Sequence, residues 1–241
     1  MYKNFVFDLY GTLLDIRTNE NKPYLWKKMS EIYSAMGAVY LPAELKKTFR
    51  DLERQLADAL PENGEPDLRL VFMELFHRKG MDSDALLVRN AAITFRALSR
   101  SKLCVYEGVQ EALQDLKARG KGVYLLSNAQ TDFTRPELAM TGLEQYFDGI
   151  VISSEVGFKK PAPEFYAYLF DRFGLKAEEC LMVGNDETSD IAGAIRAGMD
   201  SLYIHTEISP QTPVQGLATY SVMDGDWRKV AGLLANFQKM C

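Results

Sequence analysis

Histidine is nearly missing from this chain: among 241 residues there are only His77 and His205. Two imidazoles leave little material for a histidine-rich metal centre or for a Ser-His-Asp triad. Cysteine is almost as scarce. Cys104, Cys180 and Cys241 are odd in number and lie at no metal-like spacing, which reads as reduced thiols in the cytoplasm. No apolar run approaches the ~20 residues needed to span a bilayer. Met1-Tyr2-Lys3 leads straight into an apolar strand, so no signal peptide is expected and the expected location is cytoplasmic. Positive charge is short as well: 28 Lys and Arg stand against 33 Asp and Glu, a net charge of -5. With no basic cluster interleaved with aromatics, neither nucleic acid nor a membrane is an expected partner. A small-molecule substrate is expected instead, taken by a monomer or a homodimer.

What is present suits one large α/β unit carrying an insertion. Hydrophobic residues make up 47% of the chain, enough for a core of normal size. Residues 4–7 (Asn-Phe-Val-Phe) read as a buried first strand. From residue 105 on, short apolar strands at 122–126, 149–152, 180–183 and 201–204 alternate with helices at 108–119, 131–141, 163–173 and 188–198. A last helix carries Trp227, Val230, Leu233, Leu234 and Phe237. This alternation predicts a Rossmann-like parallel sheet with helices on both faces.

Residues 20–101 contain helical stripes and no convincing strand. Leu45, Phe49, Leu52, Leu56 and Leu60 recur at steps of three and four, as do Val71, Phe72, Leu75 and Phe76, and again Leu87, Ala91, Phe95 and Leu98. Breaks fall near Pro42, at 61–66 and at 80–82. The expectation is a cap of about four helices inserted after strand one. Residues 1–15 and 104–241 then form the core and 16–103 the cap. A cap on two linkers above the strand ends suits a lid.

Polar residues follow four of these segments. Asp8 ends the first strand and enters Leu9-Tyr10-Gly11-Thr12. Ser127 and Asn128 follow the strand ending at Leu126. Lys160 precedes Pro161. An acidic stretch from Asn185 to Asp190 follows Val183-Gly184. In a parallel sheet all of these meet at the carboxyl edge, where ligands bind. A carboxylate, a hydroxyl, a lysine and an acidic loop are the parts that acyl-phosphate chemistry requires. The first attacks, the next two hold an anion, and the last suits a hard cation.

These segments, in this order, resemble the haloacid dehalogenase superfamily over nearly the whole chain. The resemblance implies that Asp8 is the nucleophile and that Thr12 closes its loop. It implies that Ser127 and Asn128 bind the transferred group and that Lys160 neutralises nucleophile and anion. It further implies Mg²⁺ held by Asp8, Tyr10 (through its carbonyl), Asn185, Asp186 and Asp190. Asn185 stands where many members carry aspartate, with Asp186 as a possible substitute. The other departure is Tyr10, where the family's phosphatases carry the aspartate that protonates the leaving group. A phenol with a reference pKa of ≈ 10 is a poor base near neutrality.

The leading expectation is Mg²⁺-dependent hydrolysis of a small, anionic phosphate monoester through an aspartyl-phosphate. Asp-x-Tyr-Gly-Thr is also similar to the metal-free 2-haloacid dehalogenases, whose departing halide needs no proton. A weakly active or ligand-binding member is a further alternative. Arg50 and Arg54 are the cap arginines considered for receiving a halide, and His205 reads as a surface residue.

Overall fold

The computed structural model describes residues 2–211 and 216–237. Six parallel strands form one sheet: β1 Asn4–Phe7, β4 Gly122–Ser127, β5 Gly149–Ile152, β6 Cys180–Gly184, β7 Asp200–Ile204 and β8 Tyr220–Val222. Their order is β5-β4-β1-β6-β7-β8. The chain builds outward from β1 through β4 to β5, then crosses back to β6 and builds outward the other way. Such a reversal opens a crevice beyond the strand ends.

Residue alternation along β1 explains the two layers of helices. Phe5 and Phe7 point into one apolar cluster with Leu113, Leu116, Trp227 and Val230. These come from α5 (Val109–Ala118) and α10 (Trp227–Asn236), and Leu138 of α6 (Thr131–Thr141) joins them. Val6 points into the opposite cluster, with Phe165, Tyr166 and Leu169 of α8 (Pro163–Phe173) and Ala194 of α9 (Ala192–Arg196). Opposite faces for successive residues are what a strand dictates.

Four helices make up the insertion: α1 Pro23–Ala35, α2 Pro42–Asp58, α3 Leu68–His77 and α4 Ala85–Ser99. They enclose their own apolar cluster, in which Trp26, Phe49, Phe72 and Phe95 pack ring against ring. The side chains of Asp67 and Asp84 cap α3 and α4 by accepting from Arg69 N and Leu87 N, as their positions before apolar stripes suggest.

The insertion after strand one is carried between two strands that the sequence pattern does not show: β2 (Leu14–Thr18) precedes it, β3 (Arg100–Val105) follows it, and the two pair as an antiparallel ribbon. Both linkers are thereby zipped together. The expected helix at 188–198 is a π-helical turn at Glu187–Ile191 followed by the short α9. A further strand, β8, follows the loop after β7. The helix α7 (Ser153–Val156) is a single turn after β5. Cys241 lies outside the described residues.

Candidate active site

Asp8 leaves β1 with its N–H bonded to Val183 O of β6 at 2.9 Å, which fixes its backbone at the sheet edge. Its carboxylate is held on both oxygens. Lys160 Nζ donates to Oδ1 at 2.6 Å, and Thr12 Oγ1 donates to Oδ2 at 3.0 Å. The turn between them runs through Gly11 at φ +86°, where a Cβ would collide with the Asn185 carboxamide. Only glycine permits both the left-handed backbone and that approach.

Lys160 is buried, and three neighbours account for its position. Its ammonium contacts Asp8, lies 2.8 Å from Asp190 Oδ1 and donates to Leu126 O at 2.7 Å. Burial alone would lower its pKa, but the Asp190 and Asp8 charges outweigh that and raise it. Asn128 fixes the lysine's main chain: Asn128 Nδ2 donates to Lys160 O at 3.0 Å, and Lys160 N donates to Asn128 Oδ1 at 2.8 Å. The Asn128 carboxamide therefore braces Lys160, a role not foreseen for it.

Ser127, at the end of β4, is fully buried, and its hydroxyl has no hydrogen-bond partner among the described residues. A buried hydroxyl left unpaired costs roughly 1–3 kcal/mol.

The acidic loop is less acidic than its sequence. Asp190 is buried beside Lys160, with Oδ2 accepting from Asp186 N at 3.0 Å, in space that a Cβ on Gly184 would fill. Burial and then the Asp8 charge push the Asp190 carboxyl up, against the pull of Lys160. The Asp186 carboxylate turns away and caps the π-helical turn, accepting from Thr188 N at 2.8 Å and from Ser189 Oγ at 2.8 Å. Glu187 accepts from Gly216 N at 3.0 Å. Asn185 faces inward, with Oδ1 accepting from Thr12 Oγ1 at 3.2 Å.

Among the described residues no three His, Cys, Asp or Glu side chains cluster as a metal site. The oxygen donors brought together are Asp8, Asp190 and the Asn185 carboxamide; among the described residues no hydrogen bond ends on the Tyr10 carbonyl. Two carboxylates with neutral oxygens suit Mg²⁺, which takes one or two carboxylates and completes its shell with water and substrate phosphate. Asp186 is not part of that set.

Tyr10 points its side chain away from Asp8. Its hydroxyl donates to Glu137 Oε2 at 2.5 Å and lies 3.1 Å from Thr134 Oγ1, both on α6. Glu137 is buried and also accepts from Arg96 Nε and Arg100 Nη1, each at 2.8 Å. The Arg96 guanidinium lies 5.3 Å from the Tyr10 ring centre. Burial, then the Glu137 charge, raise the phenol above its ordinary value, so it gives up no proton near neutrality.

A cavity of about 270 Å³ opens between the helical insertion and this edge, with Tyr10, Asn128, Gln130, Glu65 and Arg96 in its wall. Arg50 is tied to Glu53 at 2.7 Å and to Glu20 at 2.9 Å, and Arg54 lies 3.8 Å from Asp51 with most of its side chain exposed. Arg96 was not singled out from the sequence, because one arginine on an amphipathic helix carries no signal of its own. Thr206 and Ser209 were also missed. Thr206 Oγ1 donates to Gly11 O at 2.8 Å, and Asn185 Nδ2 lies 3.4 Å from Ser209 Oγ, so the loop after β7 buttresses the turn that follows Asp8. His205 sits 2.9 Å from the Tyr203 hydroxyl through Nδ1. No helix among the described residues is long and apolar enough to cross a membrane.

The chain is 33% identical over 124 residues to a glyceraldehyde 3-phosphate phosphatase of Methanothermobacter thermautotrophicus, covering 52% of this chain and 55% of that protein. It is 31% identical over 131 residues to a phosphoserine phosphatase of Thermus thermophilus, covering 54% and 51%. The chain thus spans about half the length of these two curated relatives. Among solved structures, a 2-haloacid dehalogenase from Pseudomonas syringae pv. Tomato shares the fold with a TM-score of 0.71 at 20% identity, over 98% of this chain and 100% of that one. The family model for haloacid dehalogenase-like hydrolases matches residues 2–198, and the chain belongs to that family.

Proposed function

We propose that this chain hydrolyses the phosphate monoester of a small metabolite, with Asp8 as nucleophile. The observation that carries this reading is the Asp8 carboxylate held between Lys160 and Thr12 beside the unpartnered, buried hydroxyl of Ser127. One Asp8 oxygen attacks phosphorus as the bond to the alcohol oxygen breaks, giving an aspartyl-phosphate and the free alcohol. Ser127 donates to a phosphoryl oxygen, and Lys160 offsets negative charge on the nucleophile and the transferred group. Asn128 keeps Lys160 in place. Water then attacks phosphorus and returns Asp8 to its starting form.

Asp8, the Tyr10 carbonyl, Asn185 and Asp190 would hold Mg²⁺, which supplies charge neutralisation where three phosphoryl oxygens meet two carboxylates. We take residues 1–15 and 104–241 as the catalytic core and 16–103 as the cap. The cavity between them receives the alcohol portion.

A second reading, metal-free dehalogenation of a 2-haloacid, draws support from one observation: Tyr10 is tied to Glu137 and leaves position 10 without an acid. Halide departs as an anion and needs none. Purified protein incubated with an aryl phosphate and with 2-chloropropionate, each with Mg²⁺ or with EDTA, separates the two. Phosphate release abolished by EDTA is the expected result. Chloride release that persists in EDTA overturns the phosphatase reading.

A further inference from the structure

The alcohol portion of an alkyl phosphate leaves as an alkoxide unless something protonates it, and position 10 does not. The other titratable groups in the cavity wall narrow the choice. Tyr10 and Arg96 are both engaged with Glu137. Glu20 and Glu53 share Arg50 as an ion-pair partner, which engages both. Glu65 is the remaining one, and among the described residues it has no ion pair within salt-bridge distance.

Glu65 is placed by a built loop. Residues 61–66 join α2 to α3, and Asn63 turns the chain at φ +59°, a conformation asparagine tolerates. Asn63, Gly64 and Glu65 are stitched to the segment that carries Lys160. Lys159 N donates to Asn63 O at 3.0 Å, Gly64 bridges to Phe158, and Glu65 N donates to Gly157 O at 2.9 Å. On the other side, Gln130 Nε2 donates to Glu65 Oε1 and to Pro66 O, each at 2.8 Å, while Gln130 Oε1 accepts from Leu68 N at 2.9 Å. Gln130 lies two residues beyond the asparagine that braces Lys160. Glu65 is thus tied to both loops that frame Asp8, through its backbone on the Lys160 side and through its carboxyl on the Gln130 side. Burial raises its pKa, against the Lys159 charge and hydrogen bonds from Ser153 and Gln130. The neighbouring Glu20 and Glu53 are neutralised by Arg50, so Lys159 is the chief charge acting on it.

We propose that Glu65 carries out the proton transfers that Tyr10 cannot. Its carboxyl protonates the departing alcohol oxygen as the P–O bond breaks and the Asp8–phosphorus bond forms. The carboxylate so formed takes a proton from the water that attacks the aspartyl-phosphate, which releases phosphate and restores both groups. This rests on the phosphatase reading above.

The test is Glu65→Gln, which keeps the hydrogen bond from Gln130 and removes the proton, followed by rapid mixing with nitrophenyl phosphate and with an alkyl phosphate. Nitrophenolate leaves without a proton. The variant is therefore expected to keep the initial burst of nitrophenolate and to lose about a hundredfold in its steady rate. With the alkyl phosphate the first step itself should slow by about a hundredfold. A variant within threefold of wild type on both substrates, at an order-of-magnitude reading, overturns the proposal. So does one that loses the burst together with a raised KM, since that is a pocket wall and not a proton carrier. Wild-type protein that releases no phosphate from either ester overturns the phosphatase reading and this proposal with it.

Discussion

The Tyr10 hydroxyl donates a 2.5 Å hydrogen bond to Glu137, a buried carboxylate on α6 that also binds Arg96 and Arg100. The nucleophile's loop is thereby joined to a helix of the inserted segment and to the ribbon strand β3 through one carboxylate. The phenol belongs to this junction and not to the chemistry. Tyr10→Phe should lower stability by roughly 1–3 kcal/mol, the range for a lost hydrogen bond to a charged group, and leave kcat nearly unchanged. Denaturant unfolding with steady-state assays checks both. A fall in kcat of about a hundredfold with unchanged stability would assign the phenol a chemical role.

Glu137 itself carries more. Its side chain is 1% exposed, and those of Arg96 and Arg100 are 13% and 16% exposed. Glu137→Ala leaves two largely buried guanidinium groups without their carboxylate. A loss of roughly 3–5 kcal/mol is expected, as for breaking a buried pair from one side. Glu137→Gln should recover part of it by still accepting from Tyr10. Equal stability of the alanine variant and wild type, measured in urea, would mean that solvent compensates both arginines.

Much of this site was legible in the sequence because strand ends in a parallel sheet converge. Asp8, Thr12, Ser127, Lys160 and Asp190 come together from four separate segments, as their places after apolar runs suggested. The helical insertion was legible from its stripes. The ribbon was not: Leu14–Thr18 and Arg100–Val105 are short and half polar, and their pairing joins residues more than 80 positions apart, such as Asp15 and Cys104. Asp186 looked like a metal ligand because composition does not reveal that its carboxylate caps the following turn. Glu137 carries no signal of its own in the sequence. Only its partners, 37 and 41 positions away, show that it is buried.

Lys160 lies between two buried carboxylates, which gives stability a definite dependence on pH. Asp190 has its folded pKa raised, by burial first and then by Asp8, while Lys160 opposes the shift. A carboxyl of this kind contributes most below its unfolded value, about 4, and that contribution is lost as pH rises through the folded value. Lys160→Met removes the opposing cation and widens that window upward. Without added metal, the variant's denaturation midpoint should fall more steeply than that of wild type between about pH 5 and 8. Parallel profiles would show that Lys160 does not set the charge state of the pair.

Thiol chemistry reports independently on packing beneath the sheet. Cys180, at the start of β6, is fully buried with Val6 and Tyr166, and burial pushes its thiol up to about 11. Cys104 is exposed on the ribbon. Iodoacetamide should label Cys104 in the native protein and Cys180 only after unfolding, read by peptide mass. Equal native labelling of the two would contradict the packing of α8 against the sheet.

The central claim is that Asp8 forms a covalent bond to the transferred phosphoryl group. The most direct measurement is to quench the enzyme with acid during turnover of an aryl phosphate, reduce with borohydride and sequence the peptides by mass spectrometry. The account predicts that Asp8 alone is converted to homoserine, the reduction product of an acyl phosphate, and that Asp8→Asn gives neither product nor adduct. Phosphate released at full rate from an enzyme whose Asp8 stays unmodified, or undiminished turnover by Asp8→Asn, would contradict it.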